Sequence, residues 1–214
     1  MARLSGTGRL ADDLYLMAHH ERSGKPHLQP RAIGLGLAGA LLAELMLTGK
    51  IQIMAGEVAV ADSAPPQDAL AGSVLGLVVS EHQQHPARDW LLFLARTAAG
   101  DVARRLERSG YLTQTSARRP WRAQRWVPVD ADCAFAPLTR VKSALDPSRP
   151  VTAQGAALAG LAAACGLGSR LLPYLPPKTR RRLDEAAGQL DPALRDLIAQ
   201  TQAAVDSALL SHRV

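Results

Sequence analysis

Eight arginines, at positions 96, 104, 105, 108, 118, 119, 122 and 125, lie between Arg96 and Trp126 against only Asp101 and Glu107. The stretch carries a formal excess of six positive charges, equal to the net charge of +6 of the 214-residue chain. Such a cluster calls for an anionic partner: nucleic acid, a phosphorylated ligand or a membrane surface. Arg118, Arg119, Arg122 and Arg125 share their segment with Trp121 and Trp126. Arginine beside tryptophan suits a bilayer interface, where the indole lies at headgroup depth and the cations meet phosphates. Each arginine near an anionic surface contributes on the order of 1 kcal/mol, so four would support reversible docking. The same segment could instead be a solvated hairpin with its tryptophans folded onto the core, or a self-association element.

Other residues of chemical interest point to structure. Glu44 is the lone charge in the apolar run Leu35 to Leu47. A buried carboxylate needs a partner, so Glu44 is expected to face a buried arginine or backbone amides. His19-His20-Glu21 and the pair His82 and His85 have helical or local proximity but no matching third ligand, and no metal site is expected from them. Lys178-Thr179-Arg180-Arg181-Arg182 follows two prolines and reads as a solvated charge run. The glycines of Gly34-Leu35-Gly36-Leu37-Ala38-Gly39 match a dinucleotide fingerprint by count alone, since no strand precedes them; they fit close helix packing instead. Without a nucleophile elbow or a phosphate loop, no enzyme activity and no cofactor are expected.

The elements that must position these residues are mostly helical. Gly34 to Ile53 is the centre: an all-round apolar helix for the core, stopped by Gly49, with Lys50 at the negative end of the helix dipole and a switch to strand alternation at Ile51-Gln52-Ile53. Its apolar run falls short of the roughly 20 residues that cross a bilayer. Leu10 to His20 forms a helix packed on it. Ile51–Ile53 and Val58–Val60 flank a connection of hairpin length. Helices follow over Gln67 to Val79, Trp90 to Ala98 and Asp101 to Arg108, the last stopped by Gly110. Tyr111 to Val129 has no helical period and is expected to be an arginine-rich hairpin. Thr152 to Cys165 and Pro192 to Leu210 are long helices, the latter capped by Asp191 with Pro192 in its first turn.

The expected class is therefore mainly α: one globular helical domain over residues 1–214 with small projecting β-hairpins. Cys133 and Cys165, far apart and without ligand spacing, suggest a reducing, cytoplasmic setting. Asp12 and Asp13 interrupt what a signal peptide would need to be apolar. Helix, extended piece, helix and hairpin over residues 10 to 61 also fit the order of a winged-helix DNA-binding module. A recognition helix must show polar groups to base edges, whereas Leu35 to Leu47 offers only Glu44, so nucleic acid is not the expected partner.

The sequence resembles the Golgi phosphoprotein 3 family, particularly bacterial members. The matching residues are Leu10 to Met17, Gly39 to Ile51, Asp62 to Pro65 and Val102 to Leu112, with the late helices in the family's order. The resemblance implies a peripheral membrane protein binding a phosphoinositide headgroup, phosphatidylinositol 4-phosphate in eukaryotic members, with a hairpin that contacts membrane and forms oligomers. Of the family's phosphate contacts, Arg96 matches an arginine, while Gln29 stands at a tryptophan position and Ala38 and Ala99 at arginine positions. His27, Arg31 and Arg104 are the expected additional members of an anion site. The hairpin expected to meet membrane or a second subunit carries Arg118, Arg119, Trp121, Arg122, Arg125 and Trp126.

Overall fold

A computed structural model describes residues 7–115, 125–144, 152–168, 181, 185 and 187–211. The helices are α1 (Leu10–Ala18), α2 (Pro30–Leu47), α3 (Ala69–Ser80), α4 (Ala87–Leu94), α5 (Ala98–Arg108), α6 (Ala131–Ala144), α7 (Ala153–Ala164) and α8 (Pro192–Leu210). The strands are β1 (Ile51–Met54), β2 (Glu57–Val60), β3 (His85–Pro86), β4 (Leu112–Gln114) and β5 (Trp126–Pro128). The mainly α class is as expected.

α2 is the axis, and it packs against α1, α4, α5, α7 and α8. An 18-residue helix with neighbours on so many sides needs room for their approach, and its glycines provide it. A methyl group on Gly34 would lie 2.5 Å from the Ala95 carbonyl oxygen, one on Gly36 2.0 Å from Cys165 Sγ, and one on Gly39 2.6 Å from Thr201 Oγ1. Each glycine thus lets a different neighbour reach the α2 backbone. Although α2 is apolar and long enough to cross a bilayer by length and composition, its middle, Ala32 to Ala43, is buried inside the fold throughout. A helix enclosed this way has no free face for a DNA groove, which removes the basis of the winged-helix reading.

The helix begins at Pro30, five residues before the apolar run, because proline at the first position needs no hydrogen-bond partner for its missing N–H. It ends as expected at Gly49, whose φ is +68°, with the Lys50 N–H donating to the Leu45 carbonyl at 2.8 Å. The Lys50 Nζ pairs with Asp62 Oδ2 at 2.5 Å.

β1 and β2 pair antiparallel with Met54 opposite Glu57, joined by Ala55 and Gly56, both at positive φ (53° and 84°). That is the backbone of a type I′ turn, whose twist matches the flanking strands. β3 extends the sheet by pairing with β2, which the sequence reading did not anticipate. The break between α4 and α5 falls at Ala95 to Thr97 rather than near Gly100, and Gly100 lies inside α5. α6 also went unanticipated, since Pro137 sits inside it. β4 and β5 form the base of the arginine-rich hairpin, with Gln114 opposite Trp126.

Candidate anion-binding cavity and its supporting ion network

α3, the end of α4 and α5 enclose a cavity of roughly 340 Å³. Arg96, Arg104 and Arg108 all line it, together with Asp101 and the apolar side chains Leu77 and Phe93. Helical spacing explains the convergence: Arg104 and Arg108 are four apart on α5, one above the other on the same face. Arg96 comes from the α4–α5 junction, directly after Ala95, whose close approach to Gly34 fixes that junction against α2. Arg104 donates to Asp101 Oδ1 at 2.5 Å, and Arg108 Nε donates to the Arg104 carbonyl at 3.3 Å. Arg96 makes no ion pair among the described residues. The lining therefore holds three guanidinium groups against one carboxylate, and all three arginines are exposed at its edge. At the other margin Leu77 is 42% and Phe93 48% exposed.

The remaining expected phosphate contacts lie elsewhere. Gln29 caps α2 without a side-chain hydrogen bond, Arg31 is in the first turn, and both are exposed. The contact between Gly34 and Ala95 brings this first turn beside the junction that carries Arg96. His27 lines a separate cavity of about 140 Å³ with His19, Glu21 and Phe135. Ala38, fully buried, has no access to a ligand, and Ala99 is half-buried. Arg118, Arg119, Trp121 and Arg122 lie outside the described residues. Arg125 is exposed at the hairpin base, where its amide and carbonyl pair with Thr115. Trp126 is half-buried against the core, and its indole N–H donates to Glu107 Oε2 at 3.3 Å.

Beneath the cavity, α5 is held by a buried ion network. Arg105, only 3% exposed, donates through Nε to Asp12 Oδ1 at 2.7 Å, through Nη1 to Asp68 Oδ1 at 2.8 Å, and through Nη1 and Nη2 to Glu44 at 3.2 Å each. Glu44 also accepts from the Ala11 amide at 2.8 Å, so it meets both kinds of partner expected of it. Arg9 spans Asp12 and Asp68 from the surface, at 3.7 and 3.4 Å. Burial works against the Arg105 charge, yet Glu44 and Asp12 hold its pKa well above the ordinary arginine value. Burial pushes the Glu44 and Asp12 carboxyls up, with Arg105 opposing it. Asp68, although burial opposes it too, is held below the usual range by the Ala71 amide and Arg105. Asp68 is at the same time the N-cap of α3. One arginine thus ties α1, α2, α3 and α5 together. The sequence showed that Glu44 needed a partner; nothing in it marked Asp12 or Asp68 as sharing the same guanidinium.

A buried structural ion network thus underlies a cationic, apolar-edged cavity. A protein-family model for Golgi phosphoprotein 3 (GPP34) matches residues 10–201, and the chain belongs to that family. The family is associated with lipid-related function. No curated protein matches the chain.

Proposed function

We propose that this protein is a non-enzymatic, peripheral membrane protein that docks on anionic phospholipid headgroups through the cavity between α3, α4 and α5. The observation that carries this reading is the convergence of Arg96, Arg104 and Arg108 on one cavity whose margin is made by exposed Leu77 and Phe93. Phosphate oxygens accept paired guanidinium donors, while the two apolar side chains enter the acyl boundary. Three arginines would contribute on the order of 1 kcal/mol each near an anionic surface. Leu77 and Phe93, each about half-exposed, would add about 1 kcal/mol apiece on leaving water. α3 fits this orientation because no charged residue occurs from Ala69 to Ser80. A phosphoinositide such as phosphatidylinositol 4-phosphate fits the donor set, with Arg31 and Gln29 near the junction as further contacts. His27, on its separate cavity, is not part of this set. Arg118, Arg119, Arg122 and Arg125 would add attraction from the hairpin.

Cosedimentation with vesicles tests it. Purified protein should pellet with vesicles containing phosphatidylserine or phosphatidylinositol 4-phosphate at low salt and remain in the supernatant with phosphatidylcholine alone. Replacing Arg96, Arg104 and Arg108 together with glutamine should abolish pelleting. Unchanged pelleting of that variant would overturn the assignment of the cavity. Loss of pelleting on replacing only the four hairpin arginines, with the cavity variant still pelleting, would shift the docking surface to the hairpin.

A further inference from the structure

A second cavity, about 230 Å³, lies against the first and shares Leu77 and Phe93 with it. Its other lining is acidic and polar: Ser80, Glu81, His85 and Asp89, with Trp90 edge-on to Phe93 at 6.0 Å. The two cavities form one surface strip between α3 and α4, negative at one end, apolar in the middle and positive at the other. Asp89 and Arg96, both exposed, make no ion pair among the described residues. They lie on either side of Phe93, Asp89 four residues before it on α4 and Arg96 three residues after it at the α4–α5 junction. The outer face of α3 beside this strip runs Ser73, Gly76, Leu77, Ser80 at spacings of three, four and seven, all exposed, with nothing within 4 Å of a methyl placed on Gly76.

We infer that this strip is self-complementary and pairs with a second copy of the chain about a two-fold axis near Phe93. Rotation about such an axis carries Asp89 of each copy onto Arg96 of the other, so two equivalent ion pairs form with Leu77 and Phe93 between them. An isologous contact of this kind matches the placing of two opposite, unpaired charges on either side of one exposed aromatic ring, since each copy then supplies the charge the other lacks. The uncharged, small-residue face of α3 allows close approach of the second copy. Because the contact covers Arg96 and the cavity mouth, the dimer is the off-membrane state and anionic lipid competes with it; this last consequence alone rests on the membrane reading.

Sedimentation equilibrium of the full chain without lipid tests the pairing. The wild-type protein should show a reversible monomer–dimer equilibrium at micromolar concentration. Asp89→Arg and Arg96→Asp should each shift it at least tenfold toward monomer, with melting curves confirming that both variants fold. An equimolar mixture of the two variants should recover the dimer, since each contact then pairs opposite charges. A wild-type chain that stays monomeric, or a mixture no more associated than either variant alone, overturns the inference. Vesicle binding by a monomeric wild type would retain the membrane reading and remove the dimer; a charge-dependent dimer that binds no vesicle would do the reverse.

Discussion

Nη1 and Nη2 of Arg105 lie 3.2 Å from the two carboxylate oxygens of Glu44, a paired contact between residues 61 positions apart. It closes an interior site in which one guanidinium serves three carboxylates, and it fixes α5 to α2 under the candidate membrane face.

Arg105→Gln should be among the most damaging single changes. It leaves Glu44 without its cation and Asp12 with only the more distant Arg9, and breaking a buried pair in this way costs about 3–5 kcal/mol. Urea unfolding at neutral pH should show that loss in the midpoint. The sign of its pH dependence follows from the carboxyls. Burial already raises Glu44 and Asp12, and removing Arg105 removes the effect that opposes it. A carboxyl whose folded pKa lies above its unfolded one binds protons more readily when folded, so stability rises as pH falls through that window. The deficit of the variant should therefore shrink between neutral pH and the ordinary carboxylate range. A deficit that grows on acidification would contradict this reading of the network.

Two glycine substitutions should act in opposite directions. Gly34→Ala places a methyl 2.5 Å from a backbone oxygen of the α4–α5 junction, where no side-chain rotation can relieve it. Overpacking of this kind costs about 1–3 kcal/mol. Gly76→Ala meets nothing and lies mid-helix, where alanine is favoured by roughly 0.8–1 kcal/mol. Thermal melts should separate the pair, with Gly34→Ala below wild type and Gly76→Ala above. Gly34→Ala should also weaken vesicle binding, because the junction it displaces holds Arg96.

Both cysteines should be silent in the folded protein. Cys133 and Cys165 are both buried, and burial pushes the Cys165 thiol up to about 12. The thiolate is the reactive form, so neither group should react with a thiol reagent at pH 8 until denaturant is added. Rapid stoichiometric labelling under native conditions would show that the α2–α7 contact at Gly36 opens readily.

Sequence patterns made much of this fold legible where local chemistry dominates. The apolar run, Gly49, Asp191 and Pro192 marked two helices and their ends, and the burial of Glu44 implied its need for a partner. Features set by distant parts of the chain were not legible. Asp12 is joined to Arg105 across 93 positions, and in sequence it looked like a residue that merely breaks an apolar stretch. α6 was hidden by Pro137, and β3 by its two-residue length. At the site, Arg96 and Arg104 were selected as single charges. Their meeting with Arg108, Leu77 and Phe93 depends on the crossing of α3 over the α4–α5 junction, which no spacing reveals.

The most direct measurement places an environment-sensitive fluorophore on the proposed membrane face. The native cysteines are buried, so Leu77→Cys and, as a control on α6, Phe135→Cys can each be labelled singly; Phe135 is also exposed but lines a different cavity. On adding anionic vesicles, the probe at 77 should brighten and shift to the blue as it enters the acyl boundary, while the probe at 135 stays unchanged. A silent probe at 77 on protein that demonstrably pellets with those vesicles would contradict docking through the α3–α4 face.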